Sequence, residues 1–63
     1  MKLIDLLSIT DESTNVNVYD LEGNKVAFYD GKNSIDEEYN EIEVYRISAK
    51  SNSLEVTLQI EAD

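Results

Sequence analysis

The sequence predicts an α+β fold in which a short N-terminal helix packs on a mostly antiparallel, four-stranded sheet made of two hairpins, with a helical turn between them. Three observations predict it: leucines recur at helical spacing near the start, four later segments alternate polar and apolar residues, and turn-forming residues separate those segments. The 63 residues contain no proline and no linker-like run, so residues 1–63 are expected to form a single domain.

The opening segment predicts an amphipathic helix over about residues 2 to 8. Leu3, Leu6 and Leu7 fall on one side of such a helix, and Ile4 widens the apolar stripe. Because so short a helix is marginal in isolation, we expect its leucines to lie on the sheet. The polar residues 10–13 are expected to end it.

Two segments, 15–19 and 25–29, alternate with a period of two and predict the first hairpin. The turn between them contains Gly23 and Asn24, either of which can adopt the positive φ that hairpin turns require. Unbroken alternation would place on one face Val16, Val18, Val26 and Phe28, and on the other Asn17, Tyr19, Ala27 and Tyr29. Tyr19 and Tyr29 would then be neighbours, either as a stabilising cross-strand pair or as part of a contact surface.

The second half predicts a turn at residues 30–33, a helical turn near residues 35–40 and a second hairpin. Ser34 and Glu37 have the spacing of a capping box for that helical turn. Residues 43–49 form a candidate strand whose Tyr45, Ile47 and Ala49 share a face. Residues 54–61 alternate without a break and predict the last strand, joined to the previous one by the turn at 50–53.

The charge balance indicates the class of partner. Fourteen acidic residues against five basic ones give a net charge of −9, which opposes direct binding to DNA, RNA or an anionic membrane and favours a basic protein. The hydrophobic fraction of 41% is patterned, which favours a folded chain over a disordered one. The apolar opening carries Asp5 and resembles neither a signal peptide nor a membrane span, so a cytoplasmic location is expected.

The residue types present argue against catalysis. Without Cys or His the chain has no disulfide, no thiolate or imidazole metal ligand and no Ser-His-Asp or Cys-His arrangement. Gly23 and Gly31 are isolated turn glycines, not a phosphate-binding loop, and residues 20–24 lack the ligand spacing of a calcium loop. We therefore expect no enzyme activity, no catalytic residue, no cofactor and no metal site.

The densest run of carboxylates is the candidate partner-binding site. It comprises Asp36, Glu37, Glu38, Glu41 and Glu43. A solvated surface explains such a run as well as a recognition patch does. On the functional interpretation these carboxylates contact a partner, with Tyr29 and Tyr39 as aromatic anchors.

The chain resembles the small, acidic, uncharacterised proteins of bacteriophages and mobile elements of Gram-positive bacteria. Three segments carry the resemblance: Met1-Lys2-Leu3-Ile4-Asp5-Leu6-Leu7, then Val16-Asn17-Val18-Tyr19-Asp20 with its turn at Gly23, and Leu54-Glu55-Val56-Thr57-Leu58. Proteins of that kind include anti-CRISPR and other anti-defence inhibitors. The resemblance implies inhibition by stoichiometric binding, in the host cytoplasm if the protein is phage-encoded.

Three functions are therefore weighed. The first is an inhibitor whose carboxylates imitate nucleic-acid phosphates and occupy a basic groove on a nuclease or another nucleic-acid-binding protein. The second is a homodimeric structural or regulatory adaptor whose acidity serves solubility, and which docks through an uncovered sheet face or an open strand edge. The third is a sponge for a small signalling molecule, which the negative charge disfavours for anionic nucleotides.

Overall fold

A computed structural model describes residues 1–11, 13–30 and 35–61. One helix, α1 (Leu3–Ser8), is followed by strands β1 (Asn15–Tyr19) and β2 (Lys25–Tyr29). A single turn of 3-10 helix, Glu37–Tyr39, then precedes β3 (Val44–Ala49) and β4 (Ser53–Leu58). The predicted α+β class and the order of elements are confirmed.

The four strands form a single mixed sheet in the order β2-β1-β4-β3. Each hairpin, β1–β2 and β3–β4, is antiparallel as predicted. The central contact between β1 and β4 is parallel, with Val16 beside Leu54 and Val18 beside Val56. The sheet is therefore mixed, because the two hairpins join through strands that run in the same direction.

The core lies between α1 and the two central strands. Each of these three elements contributes two buried apolar side chains: Leu3, Leu6, Val16, Val18, Val56 and Leu58. Leu7 packs against this core from a half-buried position, whereas Ile4 is 43% exposed. The buried stripe of the helix is thus narrower than the sequence predicted.

Hydroxyl groups help to end the helix at the predicted place. Ser8 Oγ donates to the carbonyl oxygen of Asp5 and Thr10 Oγ1 donates to that of Leu6, each at 2.7 Å. The last carbonyl groups of a helix have no intrahelical donor, and these hydroxyls supply one. Ser8, the last residue of α1, and Thr10, two residues after it, therefore satisfy carbonyl groups at the end of the helix.

The predicted faces of the first hairpin are confirmed for β1, where Val16 and Val18 share the buried face, and are wrong for β2. Val16 lies opposite Tyr29, Asn17 opposite Phe28 and Val18 opposite Ala27, but Tyr19 lies opposite Lys25. Val26 is therefore an extra residue, a β-bulge, and a shift of one residue moves every later side chain to the other face. Tyr29 consequently faces the helix, whereas Phe28 faces away from it. Tyr19 and Tyr29 therefore lie on opposite faces and are not the neighbours that the sequence predicted.

The second hairpin follows the prediction more closely. Ile47 lies opposite Val56 and Ala49 opposite Leu54, so both residues share the helix-covered face as expected. Tyr45 falls where the register shifts between Val44 and Arg46. β4 ends at Leu58, earlier than the unbroken alternation predicted, and Ile60 instead accepts a hydrogen bond from the N–H of Leu21.

The turns are confirmed where the structure describes them. Gly23 has φ +90°, the left-handed region that a side chain disfavours. Lys50 N–H donates to Ser53 O at 2.8 Å and closes the second hairpin. The predicted turn at 30–33 and the Ser34 cap fall on residues 31–34, which lie outside the described residues.

Candidate functional site

The acidic segment, residues 36–43, is anchored to the start of α1 through its backbone. Leu3 N–H donates to Ile42 O at 3.0 Å, and Ile4 N–H donates to Asn40 O at 3.1 Å. The first N–H groups of a helix have no partner inside the helix, so these carbonyl oxygens satisfy them. The carboxylates of the segment are therefore carried by backbone fixed to the folded body.

The 3-10 turn directs its carboxylates outward. Tyr39 N–H donates to Asp36 O and Asn40 N–H donates to Glu37 O, which closes the turn. The Tyr39 ring packs half-buried against the core, whereas Asp36, Glu37 and Glu38 are exposed. Burial raises the pKa of Tyr39, and the charges of Glu38 and Asp36 raise it further.

Two other carboxylates of the segment are engaged in ion pairs. Glu41 lies 2.6 Å from the Lys2 ammonium, and Glu43 lies 3.0 Å from the amino group of Met1. The hydrogen bond and charge of Glu41 raise the pKa of Lys2. Exposed pairs of this kind stabilise a fold only slightly, but they offset local negative charge. The five predicted carboxylates thus share one segment but divide into a paired set and an outward set, Asp36, Glu37 and Glu38.

The two predicted aromatic anchors lie on the same side of the sheet as the helix. Tyr29 lines a shallow cleft of about 290 Å³, whose other walls are Ile4, Leu7, Ser8, Ile35 and Asn40. Because Ile35 precedes the acidic segment and Asn40 belongs to it, Tyr29 borders that segment. Tyr39 belongs to it directly. Both rings are half-buried, so they support the segment and offer a partner only part of their surface.

Asp20 is a structural carboxylate whose role the sequence analysis missed. Its side chain is 5% exposed, and Oδ1 accepts hydrogen bonds from Glu22 N–H and Asn24 N–H, each at 2.9 Å. Hydrogen bonds, chiefly from Asn24, lower the pKa of Asp20, although burial acts in the opposite direction. An Asp at the start of a turn is a known signal for this local structure, and it was present in the sequence.

Glu55 is the second carboxylate that was missed, and it lies on the sheet face opposite the helix. Its Oε1 accepts from the Tyr19 hydroxyl at 3.2 Å and lies 3.3 Å from the Lys50 ammonium. The Asn17 side-chain amide, then Lys50 and Tyr19, lower the pKa of Glu55 against the effect of burial. Its buried Oε2 has no hydrogen-bond partner among the described residues. Its alternation with apolar residues predicted an outward side chain but not these contacts.

Within residues 1–11, 13–30 and 35–61, no three acidic side chains converge closely enough to hold a metal ion. No helix in that part of the chain is long and apolar enough to cross a membrane.

Comparisons of the chain with protein-family models, with curated proteins and with solved structures gave no significant match.

Proposed function

We propose that this protein is a non-enzymatic binding module whose acidic segment occupies a basic, nucleic-acid-binding site on another protein. The observation that carries the proposal is the fixed, outward placement of Asp36, Glu37 and Glu38 on a body of net charge −9. A field of that sign attracts a basic partner from a distance and repels nucleic acid itself. The partner class is therefore a protein, such as a nuclease, whose groove is lined by Lys and Arg.

The anchored backbone supports this proposal, because a rigid acidic surface loses little conformational entropy on binding. Glu41 and Glu43 have a lesser part, since their charges are already offset by Lys2 and the amino group of Met1. The outward set supplies the phosphate-like charges, and Tyr39 holds the turn that carries them. The resemblance to phage proteins favours an inhibitor that acts in the host cytoplasm by stoichiometric binding.

A pair of charge-matched double variants tests the proposal. Glu37→Gln with Glu38→Gln removes two charges from the acidic segment, and Glu22→Gln with Glu61→Gln removes two exposed charges elsewhere. Each double variant changes the net charge equally, from −9 to −9 + 2 = −7. A difference between them therefore reports position and not total charge.

The probe is the heparin-binding fraction of a bacterial lysate, which is enriched in basic nucleic-acid-binding proteins. We expect the parent protein to retain a basic protein from this fraction, to release it when duplex DNA is added, and to bind it more weakly as salt rises. The Glu37/Glu38 variant should lose this binding and the Glu22/Glu61 variant should keep it. Equal binding by both variants, or a bound protein that DNA does not displace, contradicts the proposal.

A further inference from the structure

The outer edge of β3 is the more exposed of the two outer strand edges in the part of the chain that the structure describes. β3 is an edge strand of the sheet, and its residues from Tyr45 to Ala49 are exposed. Among them Tyr45 is 53% and Ile47 45% exposed, although Ile47 faces the helix-covered side opposite Val56. An edge of this kind presents unpaired backbone groups that favour pairing with another strand.

The N-terminal residues define where the open edge begins. Val44 N–H donates to Met1 O at 2.8 Å, and Lys2 forms an isolated antiparallel bridge with Glu43. Residues before Tyr45 are therefore already covered on this side. At the other end the chain turns into β4 through the hydrogen bond from Lys50 to Ser53. The open edge thus comprises residues 45–49, and its midpoint is Ile47.

Alternation along an antiparallel pair decides which backbone groups point outward. Lys50 N–H points inward, toward Ser53. Hydrogen-bonded positions alternate along such a pair, so Ile47 and Ala49 direct their N–H and C=O groups away from β4. Both residues that present these groups carry apolar side chains.

The charge distribution indicates where a second copy can approach. Two chains of charge −9 repel each other over most of their surfaces. Residues 44–54, however, contain none of the 14 acidic residues and two of the five basic ones, and they form the longest stretch without a carboxylate. The open edge lies within this stretch, so none of its own side chains is a carboxylate that would repel a second copy.

We propose that the open edge of β3 pairs antiparallel with the same edge of a second copy, about a twofold axis at Ile47. Directly opposed residues in an antiparallel pair face the same side. The axis must therefore lie midway between one residue and the same residue of the other copy. With the axis at Ile47, Arg46 of one copy lies opposite Ser48 of the other, and Tyr45 lies opposite Ala49. No like charges then face each other.

The neighbouring registers are less favourable. An axis at Arg46 sets the two Arg46 side chains against each other, and an axis at Ser48 sets Arg46 opposite Lys50 of the other copy. Like charges directly opposed on a sheet are destabilising. The axis at Ile47 also uses the whole open edge, joins the two exposed Ile47 side chains and makes one continuous eight-stranded sheet. This inference concerns a different surface from the acidic segment and does not depend on the proposed function.

Single cysteines in this cysteine-free chain read out the register directly. Opposed Cα atoms in a hydrogen-bonded antiparallel pair are about 5.5 Å apart, which suits a disulfide. We expect Ile47→Cys to give a disulfide-linked dimer under mild oxidation. The matched control is Ser51→Cys, also exposed, because the proposed register separates its two copies by about 26 Å at 3.3 Å per residue.

Sedimentation of the full chain over a concentration series reaching the millimolar range provides the second measurement. We expect the parent to associate to a dimer, and Ile47→Lys to shift association to at least tenfold higher concentration. Circular dichroism identifies an Ile47→Lys variant that fails to fold, and in that case Arg46→Glu with Ser48→Glu replaces it, since each Glu would then face another. A monomer throughout the series, equal cross-linking of Ile47→Cys and Ser51→Cys, or a dimer unaffected by these substitutions overturns the proposal.

Discussion

Tyr19 on β1 donates a hydrogen bond to Glu55 on β4, with 3.2 Å between the phenol oxygen and Oε1. These residues are 36 positions apart in sequence, and their strands form the parallel contact at the centre of the sheet. The bond therefore joins the N-terminal hairpin to the C-terminal one on the face away from the helix. Lys50, at the turn of the second hairpin, shares the same carboxylate oxygen.

Removing the Tyr19 hydroxyl tests the strength of this link. We expect Tyr19→Phe to lower the free energy of unfolding by about 0.5–1.5 kcal/mol, since the ring is kept and one hydrogen bond is lost. Urea denaturation followed by circular dichroism measures the change. Tyr45→Phe is the control, because Tyr45 is 53% exposed. Equal effects of the two substitutions would show that the Tyr19–Glu55 bond contributes nothing measurable.

Acid should destabilise the protein through Asp20 and Glu55. Both carboxyls have a folded pKa below the ordinary value. Their contribution is therefore present above the unfolded pKa of about 4 and is lost as pH falls through the lower folded pKa. We expect the urea midpoint to fall in that acidic window. Asp20→Asn, which keeps an acceptor oxygen, should flatten the decline. Glu22→Gln should follow the parent, because it changes only an exposed side chain and keeps the Glu22 N–H that donates to Asp20.

Gly23 should resist substitution for a reason of backbone geometry and not of space. A Cβ at this position meets no atom within 4 Å, but φ is +90°. We expect Gly23→Ala to cost about 1–2 kcal/mol because the left-handed region strains an L-residue. Gly23→Asn should cost less, since Asn adopts that region more readily. Thermal unfolding of the two variants measures the difference, and an Ala variant as stable as the parent would contradict the argument.

The fold should depend far more on the buried Leu3 of the helix than on the exposed Ile9 that follows it. Leu3 is fully buried and Ile9 is 73% exposed. We expect Leu3→Ala to cost about 2–5 kcal/mol through lost burial and the cavity left behind. A domain of this size has a total stability of only about 3–9 kcal/mol, so much of the variant should be unfolded. Ile9→Ala should change the urea midpoint little, and a similar loss from both would place the core elsewhere.

The secondary structure was predictable because its signals are local. The spacing of Leu3 and Leu6, the alternation within each strand and the turn residue Gly23 all act over a few positions. The faces of β2 were not predictable, because the extra residue Val26 reverses them and leaves no mark in the pattern. The parallel contact between β1 and β4 was not predictable either, since strand order depends on packing between distant segments.

The candidate site was likewise predictable only in part. The run of carboxylates from Asp36 to Glu43 is visible in the sequence. The partners of Glu41 and Glu43 in their ion pairs, however, are separated from them by 39 and 42 positions. Glu55 was likewise predicted only as an outward side chain. Its contacts require the β1–β4 pairing, which the pattern of a single strand does not encode.

The strand order β2-β1-β4-β3 also has a consequence during protein synthesis. β1 acquires its second neighbour only when β4 is made. A nascent chain that ends before Ser53 therefore carries a first hairpin in which one edge of β1 is unpaired. Val56 and Leu58, two of the six buried apolar residues in the described part of the chain, arrive with that strand. Folding therefore waits until Ser53–Leu58 has left the ribosome, and until then the valines of β1 are available to chaperones.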